Sequence, residues 1–328
     1  MASSEQIRAL LKTHLEGDDA RFLAIAMQVA AAEARKGHGK FATELRAMID
    51  AAKATPFRKT ERAAIPINQP RGELTDLLAV DYPKVRLADM ILQPDLLGRL
   101  ERILKEQRHF DRIKGHGFSP RQKLLLMGPP GCGKTLTASV LAGELGIPLF
   151  TVRLDGLITR YLGETTAKLR LIFDAVENTR AVYFFDEFDS IGSHRGMMQD
   201  VGEIRRVLNS FLMYIEQVKS SSLVLAATNQ GKDLDYALFR RFDDILEYHL
   251  PDRKLIIQML KTKVQGFQEK SFDWDSPVKI AEGLSYAEIS KACEDALKEM
   301  LLHEKTRLRA EDLARALQDR TRFRKSSP

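Results

Sequence analysis

The sequence predicts an α/β protein, a mostly parallel sheet sandwiched by helices, with a small all-α bundle before it and a helical segment after it. Three observations predict it. The apolar runs "KLLLM", "LFTVRL", "AVYFFD", "SLVLAAT" and "DILEYHL" alternate with amphipathic helices between residues 123 and 250. Near-continuous apolar strands need cover on both faces, and helical crossovers make neighbouring strands parallel. Before residue 55 and after Pro251 the apolar spacing is helical only.

Residues 1–54 read as a three-helix bundle. Ile7, Leu10, Leu11 and Leu15 give the first helix its stripe, and Phe22, Ile25, Ala26, Val29 and Ala30 the second. Phe41, Leu45, Met48 and Ile49 give the third, with "GHG" at Gly37 to Gly39 breaking it from the second. Residues 55–72 lose periodicity and carry Pro56, Pro66 and Pro70 among charges, as a linker does. The strands then place a large α/β subdomain at 73–251, and 252–328 reads as a helical subdomain with a basic tail.

With 44% hydrophobic residues the chain has ordinary globular composition. It has no apolar run near the roughly 18 residues of a membrane span. Its N-terminus has no apolar signal core, and Cys132 and Cys293 form no CxxC, so a reduced, cytoplasmic setting is expected. The net charge of +6 invites a nucleic-acid partner, but much of the excess sits in the linker and the tail "RTRFRKSSP".

The chemistry begins at "KLLLMGPPGCGKT", a strand ending in Gly128-x-x-x-x-Gly133-Lys134-Thr135 with a helix directly behind. Glycines let backbone N–H groups curl around phosphates at a helix N-terminus, where the dipole favours anions. Lys134 then reaches the β- and γ-phosphates of ATP, and the Thr135 hydroxyl ligates Mg²⁺. Cys132 fills a variable loop position, and sensitivity to thiol alkylation is expected there because an adduct would block phosphate. "AVYFFDEFDSI" is a buried strand tipped by Asp186, suited to hold Mg²⁺ through water, and Glu187, suited to polarise the attacking water. "SLVLAATN" ends in Asn229, which either forms a turn or orients that water. Arg240 and Arg241 precede the last strand; they are either surface ion-pair donors or guanidinium groups aimed at a neighbour's γ-phosphate.

In this order, "GPPGCGKT", "FFDEFDSIG", "AATN", "ALFRRFD" with "LPD", and "GLSYAEISKACEDAL" resemble the AAA clade of the AAA+ ATPases, the clade of katanin, spastin and the membrane-bound AAA proteases. The resemblance spans about Leu74 to Leu317. It implies a P-loop AAA+ module with a helical lid, assembled into an ATP-promoted homo-hexamer with nucleotide at the subunit boundaries. Asn229 then matches sensor 1, and Arg240 and Arg241 match arginine fingers acting in trans. Asp89, Met90 and Ile91 match the adenine-contacting stretch. The expected ATP-binding set adds Pro129, Pro130, Gly131, Cys132, Gly133, Lys134, Thr135 and Leu136, with Gly283, Ser285 and Ala287 from the lid. In the lid, Tyr286 stands where the family has Gly, and Glu288 where it has Asp.

Tyr161, Leu162 and Gly163 match the aromatic–aliphatic–glycine loop that the family projects into its central channel. A flat, stiff aromatic grips a threaded polypeptide without reading its sequence. "GSHRGMMQDVGEIRR" would form a second channel loop around His194 and Arg195. The stretch from Gly17 to Leu45 is similar to the start of bacterial AAA ATPases encoded beside a subtilisin-like protease. That similarity implies a separate protease or an adaptor as partner of the bundle, with a structural cap as the alternative. There is no HExxH, so any proteolysis would come from another polypeptide.

The expected function is an ATP-driven ring motor that remodels or unfolds protein. A DNA- or RNA-stimulated switch is favoured by the basic charge and opposed by the Tyr-Leu-Gly loop. A module whose ATP state controls docking of a partner is the third alternative.

Overall fold

In the computed structural model, residues 19–35, 42–43, 46, 70, 72–157, 162–188, 201–229, 239–269 and 271–326 are described. The chain divides into two compact units, Met1–Ile67 and Asn68–Pro328. In the first, the helix α1 (Asp19–Arg35) carries the second predicted stripe, and its Val29 and Ala30 are buried. The first predicted helix lies outside the described residues, and of the third only Ala42, Thr43 and Arg46 are described, all helical.

The second unit is built on a six-stranded sheet. Its elements run β1 (Leu78–Asp81), α2 (Pro94–Arg108), β2 (Lys123–Met127), α3 (Lys134–Leu145), β3 (Leu149–Val152), α4 (Leu162–Asn178), β4 (Val182–Phe185), α5 (Val201–Gln217), β5 (Leu223–Thr228) and β6 (Asp244–Glu247). The strand order is β1-β3-β4-β5-β2-β6. The five predicted strands pair in parallel, as the crossover helices require, and β1 adds an antiparallel edge beside β3. Patterning does not reveal β1, because its apolar stretch, Leu78 to Val80, is only three residues long, continues directly from Leu77 of the preceding helical turn, and has only Leu78 buried.

The apolar strands are explained by their two faces. Leu125, Tyr183, Phe185, Val224 and Ala226 point into one core, shared with α4 and α5. Their neighbours Leu124, Leu126, Val182, Phe184 and Leu225 point into another, shared with α2 and α3. Successive side chains alternate across the sheet, so a strand covered on both sides must be apolar throughout. The stripe Leu169, Ile172, Phe173 and Val176 of α4 is buried as its spacing predicts.

The chain enters β6 through carboxylates. Asp243 Oδ2 accepts from the Gln122 and Lys123 N–H groups at 2.8 and 2.9 Å. Arg99 of α2 pairs with Asp244. After Pro251 come four helices, α6 (Arg253–Lys263), α7 (Asp275–Ala281), α8 (Tyr286–Leu302) and α9 (Ala310–Ser326), around a third core that includes Ile256, Leu260, Ile289, Ala292, Leu313 and Leu317. Among the described residues no helix is long and apolar enough to cross a membrane.

An aromatic cluster ties α5 to the tip of β4. The Phe211 ring lies 5.0 Å from Phe185, 4.5 Å from Phe188 and 5.6 Å from Phe173. Phe211→Ala would leave a cavity in a fully buried site, an expected loss of about 3–5 kcal/mol. Urea unfolding of the full chain measures it; a loss under about 1 kcal/mol would mean that the site collapses around the smaller side chain.

Candidate active site

Strands β2, β4 and β5 end on one side of the sheet, where a crevice at the C-terminal ends of parallel strands is the expected ligand site. A cavity of about 440 Å³ opens there. Its walls include Pro130 to Leu136 from the turn into α3, Asp186 and Glu187 beyond β4, Asn229 beyond β5, and Asp89 to Leu92. The lid contributes Met259, Lys263, Tyr286, Ala287 and Ser290.

The turn from β2 to α3 demands glycine at two close approaches. A Cβ on Gly128 would run into the Tyr248 backbone, and φ is +147° there. A Cβ on Gly131 would lie 2.6 Å from Ser285 Oγ, at a φ of +73°. With no side chains in the way, the backbone can curl so that N–H groups face the cavity.

Lys134 is buried, with 7% of its surface exposed. Its Nζ donates to the Gly128 and Pro129 carbonyls at 2.7 and 2.9 Å and to Asn229 Oδ1 at 2.8 Å. These three oxygens hold the ammonium against the loop, at the wall of the cavity. Thr135 Oγ1 donates to Asp186 Oδ2 at 2.9 Å. One hydroxyl and one carboxylate are hard oxygen ligands, and they fit Mg²⁺, which takes one or two protein oxygens and completes its shell with phosphate and water. Among the described residues no group of three or more His, Cys, Asp or Glu is placed to hold a metal.

Glu187 is exposed and has a φ of +49°, rare for a residue with a side chain. Its neighbours hold it there. Asp186 Oδ1 accepts the Glu187 N–H at 2.9 Å, and the Phe188 N–H donates to the Ala227 carbonyl at 2.8 Å. Strain of this kind persists only where the surroundings over-determine it, and it clusters at functional sites.

The other end of the cavity is apolar, formed by Met90, Ile91, Leu92, Met259, Tyr286 and Ala287. The family resemblance finds Asp89, Met90, Ile91 and Ala287 but not Leu92, Met259, Lys263, Tyr286 or Ser290. Tyr286 packs against both the sheet core and the lid core, and burial pushes its phenol up to about 12, so it is neutral near pH 7. The lid meets the loop directly, for the Ala287 N–H donates to the Gly131 carbonyl at 3.1 Å. Ser285 caps α8 and shares a capping box with Glu288. The S-x-x-E of "SYAE" is a sequence signature of that box. Glu288, which departs from the family pattern, therefore has a local task. Ser285 and Gly283 do not line the cavity, and Pro129 reaches it only through its carbonyl's bond to Lys134.

Arg240 and Arg241 do not line this cavity. Arg240 is exposed, whereas Arg241 is half-buried and its Nε lies 3.4 Å from Glu216 of α5. Tyr161, His194 and Arg195 lie outside the described residues; Leu162 and Gly163 are the first two residues of α4, so the helix begins about two turns before its apolar stripe.

Fold and site together define a P-loop nucleotide-binding protein. The profile of the "ATPase family associated with various cellular activities (AAA)" matches residues 124–250. An uncharacterized AAA family ATPase of Sinorhizobium fredii, y4kL, is 36% identical over 324 residues, 99% of this chain and 97% of that protein. The ATP-dependent zinc metalloprotease FtsH 3 of Sphaerobacter thermophilus is 32% identical over 232 residues, 69% of this chain and 47% of the protease. The chain belongs to the AAA family of ATPases.

One expectation from the sequence needs correction. Cys132 is buried, and burial pushes its thiol up, with Glu288 adding to the rise and Lys134 opposing it. A raised pKa leaves less thiolate at neutral pH, so the loop cysteine resists alkylation rather than inviting it. Iodoacetamide labelling of Cys132 in the native chain at pH 7 should run at least ~10-fold slower than in the urea-unfolded chain and accelerate up to pH 9.5. Mass spectrometry of the Cys132 peptide checks it, and fast labelling at pH 7 would contradict the burial.

Proposed function

We propose that the chain is an ATP-hydrolysing ring motor that remodels or unfolds polypeptide by threading it through a central channel. One convergence supports the reading most: Lys134, Thr135, Asp186, Glu187 and Asn229, drawn from the ends of three strands, share a single cavity. Its polar end suits a triphosphate and its apolar end a base.

In this reading the loop amides and Lys134 bind the phosphates, and Asp89, Met90, Ile91, Tyr286 and Ala287 enclose the base. Thr135 and Asp186 would hold Mg²⁺, which when bound neutralises phosphate charge. Glu187 takes a proton from the attacking water, and Asn229, already tied to Lys134, orients that water. Arg240 and Arg241, both outside their own subunit's cavity, act on the nucleotide of a neighbour in a hexamer. An arginine supplied in trans is worth about 10³–10⁵ in rate in GTPases, so activity depends on assembly. Tyr161, Leu162 and Gly163 meet the threaded polypeptide in the channel.

We assign 1–54 to a partner-binding bundle, 55–72 to a linker, 73–251 to the ATPase subdomain and 252–328 to the lid. The relative FtsH 3 is named an ATP-dependent zinc metalloprotease; here a separate protease or adaptor would bind the bundle. The two buried free cysteines suit a reducing, cytoplasmic setting.

Steady-state ATPase assays with and without an unfolded polypeptide test this reading. The polypeptide should stimulate the wild type, and Tyr161→Ala should abolish the stimulation. A wild type indifferent to polypeptide would favour the nucleic-acid switch or the docking module. Glu187→Gln should retain ATP binding while turnover falls by about 10²–10⁴, the usual contribution of a positioned base; normal turnover would remove Glu187 from the mechanism.

A further inference from the structure

We propose that Tyr248 and Thr137 form a positioning pair that holds both ends of the phosphate loop in its nucleotide-binding shape, a role that rests on reading Gly128 to Lys134 as that loop. Neither residue touches the cavity.

Tyr248 is the first residue after β6, and its N–H donates to the Met127 carbonyl at 2.7 Å, one residue before the loop begins. Its own backbone fills the space where a Gly128 Cβ would stand, with the Tyr248 Cβ 2.8 Å from that position. The main chain of Tyr248 therefore sets where the loop starts.

The side chain of Tyr248 reaches the other end. Its hydroxyl lies 2.6 Å from Thr137 Oγ1, in the first turn of α3. Thr137 Oγ1 donates to the Gly133 carbonyl at 3.0 Å, and the Thr137 N–H donates to the same oxygen at 2.9 Å. A threonine has one hydroxyl proton. With that proton on Gly133, the Tyr248 O–H must be the donor to Thr137. The relay Tyr248 to Thr137 to Gly133 thus has one direction.

The peptide plane carries this to the ligand. The Gly133–Lys134 peptide is planar and trans, so its carbonyl and its N–H point in opposite directions. Two bonds fixing the Gly133 carbonyl toward Thr137 therefore aim the Lys134 N–H away from α3, toward the loop's anion-binding side. Gly133 has a φ of +97°, a conformation that glycine alone adopts without strain but does not by itself enforce.

The hydroxyls have no packing role to explain them. Thr137 is fully buried and Tyr248 is 2% exposed. Tyr248 belongs to the same buried apolar core as Leu124, Leu126, Ala138, Leu141 and Leu246. A phenylalanine and a valine would fill the same space, and replacing both partners of a buried hydrogen bond with apolar groups of equal shape is nearly neutral for stability. Burial pushes the Tyr248 phenol above its ordinary value, so it stays a donor through neutral and mildly alkaline pH.

The test uses the full chain with Tyr248→Phe, Thr137→Val, the double substitution, and Lys134→Ala as control. A fluorescent ADP analogue reports Kd, steady-state ATPase assays report KM and kcat, and thermal unfolding reports Tm. Thr137→Val alone strands the Tyr248 hydroxyl in an apolar core and should lower Tm most. The double variant should recover Tm to near wild type while Kd and KM rise on the order of tenfold and kcat stays within about twofold. Tyr248→Phe alone, which keeps the Thr137–Gly133 bond, should move Kd in the same direction and less. A double variant with wild-type Tm, Kd and KM would overturn the proposal and make the pair ordinary core. If Lys134→Ala binds the analogue as tightly as wild type, the phosphate-loop reading fails and takes this inference with it; loss in Lys134→Ala with no change in the double variant sinks the pair alone.

Discussion

The backbone between β2 and α3 has to pass two points that admit no side chain, and the rest of the site is arranged around that passage. On one side Gly128 lies against the main chain of Tyr248, and on the other Gly131 lies against Ser285 of the lid. Two separate cores therefore converge on seven residues of loop. None of these contacts involves the Cys132 side chain, so they hold whatever residue fills that variable slot. Lys134 closes the same turn from within by bonding two of its carbonyls. A loop held this way costs little further ordering when an anion arrives, which is the physical content of preorganisation.

The sheet supplies chemistry to the loop by ending its strands at one level. Parallel pairing of β4, β5 and β2 brings Asp186, Asn229 and Gly128 to the same edge, although more than forty residues separate each from the next along the chain. The aromatic cluster of Phe173, Phe185, Phe188 and Phe211 stiffens the β4 tip. The strained turn at Glu187 has Phe188 buried immediately behind it, so the core holds the conformation that an isolated peptide would relax. Strain at Glu187 and apolar packing at Phe188 are two halves of one arrangement.

How much of this was legible in the sequence depended on whether the signal was local. The five parallel strands were readable because double-sided burial writes an unbroken apolar run, and Lys134, Thr135, Asp186 and Glu187 because phosphate chemistry restricts residue types over short spacings. The antiparallel edge strand was not, since one buried residue in four makes no pattern. Tyr248 falls inside the apolar run "DILEYHL" with nothing to mark it; only the register of β6 against β2 places its hydroxyl beside Thr137, 111 residues earlier. Tyr286 and Glu288 looked like departures from a family pattern until the lid's packing gave one a place in the cavity wall and the other a cap to complete. Non-local contacts of this kind leave no trace in periodicity.

The lid's attachment to the loop has a mechanical consequence. The Ala287 N–H to Gly131 bond joins the first turn of α8 to the middle of the phosphate loop, and Tyr286, one residue before it, packs on both cores. Ser285, one residue further back, is fixed by the capping box. Three consecutive lid residues are thus each tied to something different: their own helix, both cores, and the loop. Any rotation of the lid about that point has to break the Gly131 bond or carry the loop with it, and any change in loop shape is felt first at the start of α8. Coupling of that sort would need no long pathway, because lid and loop already share a hydrogen bond and a ring at the wall of the cavity. What the nucleotide would alter is which side of that shared contact bears the load.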